Sequence, residues 1–144
     1  MIIKKIFRNI LNRLFLRKFD DIKIQKGQIF EKNLSLEIKN IKSLNQTYFK
    51  VFSQDTEDGI LQYLLKSLEI QNVKFVEIGT QDYSESNTRY IYEKYNCDGL
   101  IIDNTSNLAS KVSKQLDIWK GNLAIEENFV NKYSKIYNLE LTNE

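Results

Sequence analysis

Glu77 and Asp103 each stand at or beside the end of a short apolar run, and a lone Gly79 follows the first. A carboxylate at the carboxyl end of a strand can accept hydrogen bonds from ligand hydroxyls, and a glycine just beyond lets backbone approach a ligand closely. Asp103 lies 24 residues after Gly79. That is near the roughly 20 residues at which nucleotide-binding α/β folds place the acid that holds a ribose. Taken alone, Asp103 reads equally well as a helix N-cap for the segment that begins at Thr105. Glu77 is harder to explain as a bystander, because a carboxylate buried beside a strand end needs partners.

The glycine count narrows the ligand. A dinucleotide fingerprint needs three glycines around the turn; here positions 81 and 84 are Gln and Ser, and no glycine follows Gly79 until Gly99. The Gly-Lys-Ser/Thr ending of a P-loop is also absent. A cofactor without a pyrophosphate fits better. S-adenosylmethionine meets that requirement: its sugar hydroxyls suit a carboxylate, and its amino and sulfonium cations suit an acidic rim.

The elements that must position these residues follow from periodicity. Lys74 to Ile78 reads as a strand with apolar residues on both faces, as in a central parallel strand. Ser84 or Ser86 can cap a following helix with Asn87, Tyr90, Ile91 and Tyr95 inward. Leu100 to Asp103 is a second strand after a turn at 96–99. Leu108, Val112, Leu116 and Trp119 space out a helix capped by Thr105 or Ser106, and 123–130 reads as a third strand. Tyr133, Ile136 and Tyr137 suggest a further helix. Upstream, Ile60, Leu61, Leu64, Leu65 and Leu68 mark a helix with Asp55 or Thr56 as N-cap. The order predicts an α/β, Rossmann-like three-layer αβα domain with parallel strands over 53–144.

Residues 1–19 form a separate basic segment. Ile3, Ile6, Phe7, Ile10, Leu11, Leu14 and Phe15 recur at helical spacing, and Lys4, Lys5, Arg8, Arg13, Arg17 and Lys18 supply six positive charges with no acid. This predicts an amphipathic helix that lies on an anionic membrane surface, packs on the domain, or docks a partner. Charges interrupt every run long enough to cross a bilayer, and no signal-peptide pattern is present, so a cytoplasmic protein, peripheral at the inner membrane face, is expected. Residues 20–52 read as a lead-in extension in which Leu34, Leu36, Ile38 and Ile41 fit either strand or helix. Tyr48 to Phe52 reads as a short strand or a buried linker.

Composition excludes several chemistries. The chain has 144 residues, no histidine, and a single cysteine, Cys97, so a hydrolase relying on its own histidine, an internal disulfide and a cysteine–histidine metal cluster are all ruled out. Cys97 beside Asp98 is expected to be a reduced, unreactive thiol. Beyond the basic segment, 15 basic residues face 19 acidic ones, which argues against nucleic acid as a partner.

The motifs Ser53-Gln54, Glu57-Asp58-Gly59-Ile60, Phe75 to Gly79, Glu85 to Tyr90 and Gly99 to Asp103 together resemble the opening half of FkbM-type S-adenosylmethionine-dependent methyltransferases, over about residues 50–130. Their order and spacing carry the likeness. It implies a class I methyltransferase fold and a sugar or small-metabolite hydroxyl as methyl acceptor. It assigns Glu77 and Gly79, with Thr80, to the methionine and adenosine approach, Asp103 and its neighbour Asn104 to the ribose, Asn87 and Thr88 to support of the loop, and Ser53 and Gln54 to the methionine end. The chain departs from the family pattern in two ways: an aromatic or glycine residue is common near Ile78 and Thr80, and a small residue is usual where Asn104 stands. Only 65 residues follow Gly79, enough for about three strands. The expectation is therefore an incomplete fold, truncated or completed by another chain, inactive by itself, prone to self-association, and with its catalytic residues beyond Glu144.

Overall fold

A computed structural model of the chain describes residues 2–116 and 121–131. It divides into two compact units, Met1–Glu69 and Ile70–Glu144.

The first unit begins with one long helix, α1 (Ile2–Glu37). The helix does not stop at residue 19, as the basic segment suggested, and the division of 1–19 from 20–52 is not observed. The reason is periodic: Ile24, Gly27, Glu31 and Leu34 continue a stripe at threes and fours, and with no proline in the sequence nothing interrupts the helix. Gly27, Glu31 and Leu34 are buried. Two short 3-10 turns, Ile38–Asn40 and Leu44–Thr47, follow. The second starts with a capping box in which Ser43 and Gln46 satisfy each other's backbone amides.

Helix α2 (Glu57–Ser67) packs against α1 within this unit. Lys66 bridges to Glu31 at 2.9 Å, and the rings of Phe30 and Phe49 stack with centroids 5.7 Å apart. Residue Thr56 is the N-cap, as expected, but its side chain makes no capping hydrogen bond. The segment from Tyr48 to Phe52 is a linker and not a strand; Phe49, Val51 and Phe52 are buried in it. It crosses α2 so closely that a Cβ on Gly59 would sit 1.9 Å from the Thr47 carbonyl oxygen.

The second unit is α/β. Strands β1 (Lys74–Ile78), β2 (Asp98–Asp103) and β3 (Leu123–Glu127) alternate with α3 (Arg89–Tyr95) and α4 (Leu108–Gln115). The sheet is parallel in the order β1-β2-β3, with Lys74 opposite Asp98 and Asp103 opposite Glu127. This is a three-stranded parallel sheet flanked by helices, an incomplete Rossmann-like αβα arrangement preceded in the chain by an N-terminal helix. Tyr83, Tyr92, Ile101, Leu108, Val112 and Leu116 form the core, with Phe75, Leu123 and Ile125 against it. Gly99 lies under the Phe75 ring, where a Cβ would come within 2.2 Å of the ring edge.

Helix starts differ from expectation. Helix α3 begins at Arg89 after Thr88, not after Ser84 or Ser86, and Tyr92 joins Tyr90 and Ile91 inside while Asn87 and Tyr95 are exposed. Helix α4 begins after Asn107, which adopts a left-handed conformation (φ 58°), not after Thr105 or Ser106. Trp119, Tyr133, Ile136 and Tyr137 lie outside the described residues.

Candidate functional site

The carboxyl ends of β1 and β2 carry the candidate site. Gly79 leaves β1 with its amide still on the ladder, donating to the Ile102 carbonyl at 2.9 Å. Its φ is +82°, a conformation that favours glycine. A Cβ built there meets nothing within 4 Å, so the space above the turn is open to a ligand.

The loop that follows is held in tension by its own backbone. Gln81 and Tyr83 also have positive φ, 51° and 65°, and each such non-glycine residue costs on the order of 1 kcal/mol. Thr80 is buried, and its hydroxyl has no hydrogen-bond partner among the described residues. Tyr83, fully buried, donates its phenol to Thr88 Oγ1 at 2.8 Å, since Thr88 uses its own hydroxyl proton toward Glu77. Burial pushes the Tyr83 phenol well above its ordinary pKa.

Asp103 joins the two strand ends. Its Oδ2 accepts the Gln81 amide at 2.8 Å and its Oδ1 accepts the Thr105 amide at 2.7 Å. Burial would raise its pKa, but the Thr105 side chain, the two amides and the charge of Lys111 outweigh it and hold the carboxyl below its ordinary value. Asp103 is therefore not the N-cap of α4, which is Asn107; it binds the loop before α4 through Thr105 and the β1 loop through Gln81. A carboxylate offers about four lone-pair directions; the two amides and the Thr105 side chain take three of them, which leaves one for a ligand hydroxyl. Asn104 follows it, exposed.

Glu77 has a different role. Its Oε1 accepts the Asn87 amide at 3.0 Å, while Oε2 accepts the Thr88 amide at 3.0 Å and the hydroxyls of Ser86 and Thr88. The carboxylate faces the loop before α3 and supplies the hydrogen bonds that shape it. Asn87 and Thr88 meet Glu77 there, and Gly79 and Asp103 meet at the rim.

Ser53 and Gln54 belong to the first unit. Ser53 is buried, and its amide and hydroxyl both donate to Asp58 Oδ2 at 2.8 Å. Gln54 is exposed and its carbonyl accepts Lys50 Nζ. The same Asp58 oxygen accepts the amides of Val51 and Phe52 at 2.7 and 2.8 Å. Asp58 stands in the first turn of α2, and nothing in the sequence pattern connects it to Ser53.

Three further residues escaped the sequence reading. Arg89 is 2% exposed and donates to the carbonyls of Ser84 and Gln115 at 3.0 and 3.1 Å, tying the β1 loop to the end of α4. Lys111 and Lys114 line a cleft of about 500 Å³ together with Gln81, Asp82, Ser84, Thr105 and Gln115. Both residues whose amides Asp103 holds are part of that lining. Asp82 in it is held below its ordinary pKa, chiefly by its hydrogen bond from the Ser84 hydroxyl. A basic residue four or seven positions into the helix after an acid-ended strand is the only sequence signal that pointed there, and it is common.

Cys97 is a free, half-buried thiol whose pKa is pushed up to about 11, by burial first and by Asp98 second. Among the described residues no group of histidine, cysteine, aspartate or glutamate side chains could hold a metal ion. The chain matches no protein-family model, no curated protein and no solved structure.

Proposed function

We propose that the second unit binds S-adenosylmethionine and is the cofactor-holding half of a methyltransferase acting on a hydroxyl of a small molecule or glycan. The observation that carries this reading is Asp103, which bridges the Gln81 and Thr105 amides at the edge of a cleft and beside the open turn at Gly79. The residues present suit the group. Asp103 stays ionised and retains acceptor capacity for one ligand hydroxyl, and Gly79 leaves room for a close approach. Glu77, Asn87 and Thr88 serve by holding the loop in shape, not by touching the ligand.

When bound, the cofactor supplies a methyl group on a sulfonium centre, which is transferred by in-line displacement. What the chain contributes is position. Asp103 orients the sugar, and the strained backbone from Gly79 to Tyr83 fixes the turn around it, so that little order has to be acquired on binding.

Titration calorimetry of the full chain with S-adenosylmethionine tests the reading. Binding by the native chain and its loss in Asp103→Ala, with circular dichroism unchanged, is the expected result. A folded sample that gives no heat overturns it.

A further inference from the structure

Helix α1 carries two stripes on opposite sides. One is Ile24, Gly27, Glu31 and Leu34, the stripe turned into the first unit. The other is Phe7, Leu14, Phe15, Ile22, Ile29 and Leu36, apolar side chains each 59–76% exposed. The pairs 22 and 24, 29 and 31, and 34 and 36 are two residues out of step, which at about 3.6 residues per turn puts the stripes on opposite sides. The outer stripe from Phe7 to Leu36 is about 44 Å long at 1.5 Å per residue. Exposed Lys18, Gln25 and Lys32 stand along the same face, so the stripe is a line of separate large apolar side chains with basic residues between them.

We propose that this outer stripe lies flat on an anionic phospholipid bilayer, along α1 as a whole and not only over its first nineteen residues. The charge decides the occupant. Residues 2–37 hold nine basic and four acidic residues, and the acids Asp20 and Glu31 are paired with Lys23 and Lys66. The fourth and third acids, Glu37 and Asp21, stand at the end of the helix and beside Lys18, which Asp21 meets at 3.8 Å. Lys18, Lys26 and Lys32 are exposed and lie three or four residues from Ile22, Ile29 or Leu36, so they flank or interrupt the stripe. In a helix–helix seam such lysines would be buried at a cost; at a bilayer they extend to the phosphates while their stems stay in the apolar layer. No helix among the described residues is long and apolar enough to cross a membrane, so the helix rests at the interface.

The test is sedimentation of the full chain with phosphatidylcholine vesicles with and without phosphatidylserine. Binding is expected on the anionic vesicles, weakened by salt as electrostatic attraction requires. It should fall about tenfold or more in the triple variant Ile22→Ser, Ile29→Ser, Leu36→Ser, whose sites are exposed in the fold. Lys18→Gln and Lys32→Gln, which leave the apolar stripe intact, should each weaken binding about fivefold on anionic vesicles. Three results overturn the proposal: no binding by the native chain, undiminished binding by the triple and lysine variants, or a dimer in analytical ultracentrifugation that the triple variant abolishes and lipid does not compete with.

Discussion

Thr88 is joined to Glu77 twice, through its amide and through its hydroxyl, and both bonds end on the same oxygen, Oε2. Eleven residues of chain, including the turn at Gly79, are closed into a loop by that one carboxylate oxygen. The loop's shape therefore depends on an acid that lies within the strand before it.

Replacing Glu77 removes acceptors for two amides and two hydroxyls at once. Hydrogen bonds to a charged group contribute about 1.5–3 kcal/mol each in favourable cases, and they are not additive. Glu77→Ala should destabilise the protein by about 3 kcal/mol and Glu77→Gln by less, read from urea midpoints. If Glu77 instead touched the cofactor and nothing else, both variants would keep the native midpoint.

Asp103 predicts an acid limb in the stability profile. Its folded pKa lies below the ordinary carboxylate value of 3.8, so its stabilising contribution is fully present above that value and is lost as pH falls through the folded pKa. Urea unfolding followed from neutral pH downward should show stability declining below about pH 4. Asp103→Asn should flatten part of that decline. An identical acid limb in the variant would show that other carboxylates produce it.

At Gly79, a side chain meets no neighbour but must adopt φ near +82°. Gly79→Ala is expected to cost on the order of 1 kcal/mol from the backbone alone. Its effect on S-adenosylmethionine affinity should exceed that cost, because the methyl group occupies the open side of the turn. Paired calorimetry and unfolding measurements separate the two effects.

Cys97 should react slowly with a disulfide reagent at neutral pH, since a thiol pushed up to about 11 holds little thiolate there. The rate should rise about tenfold per pH unit between pH 7 and 9. A rate already saturated at neutral pH would contradict the burial described for this thiol.

The bounds of β1 were legible because its apolar run is short and bounded, Lys74 to Ile78. It is an edge strand of the described sheet and not a central one, with Val76 and Ile78 exposed. Strand β2 starts earlier than expected, at Asp98, and β3 ends at Glu127, short of 130. Asp103 was legible because its distance from Gly79 follows from one strand–helix–strand unit. The helix starts were not. With proline absent and glycine scarce, Thr88 and the left-handed Asn107 end up before α3 and α4, and neither makes a side-chain cap bond. The length of α1 was hidden for another reason. Its inner stripe includes Gly27 and Glu31, which no hydrophobic pattern counts; Glu31 is buried with Lys66 of α2 paired to it. Arg89 belongs to the same class: an arginine in a sequence reads as surface, and its burial is explained by partners the sequence does not display, the carbonyls of Ser84 and Gln115 and the carboxylate of Glu93 at 3.5 Å.

Asp58 has a consequence for the linker it gathers. Val51, Phe52 and Ser53 direct three successive amides at one oxygen, where the amides of an extended strand would point to alternate sides. A single side chain thus takes the place of a neighbouring strand, and it accepts only one alignment. Sliding the linker by one residue would bring Lys50 or Gln54 into the set and turn Phe52 outward. The segment is keyed to α2 by the Asp58 oxygen and by the Gly59 amide, which donates to the Phe49 carbonyl at 3.2 Å, and the position of Ser53 along the chain is set by that key.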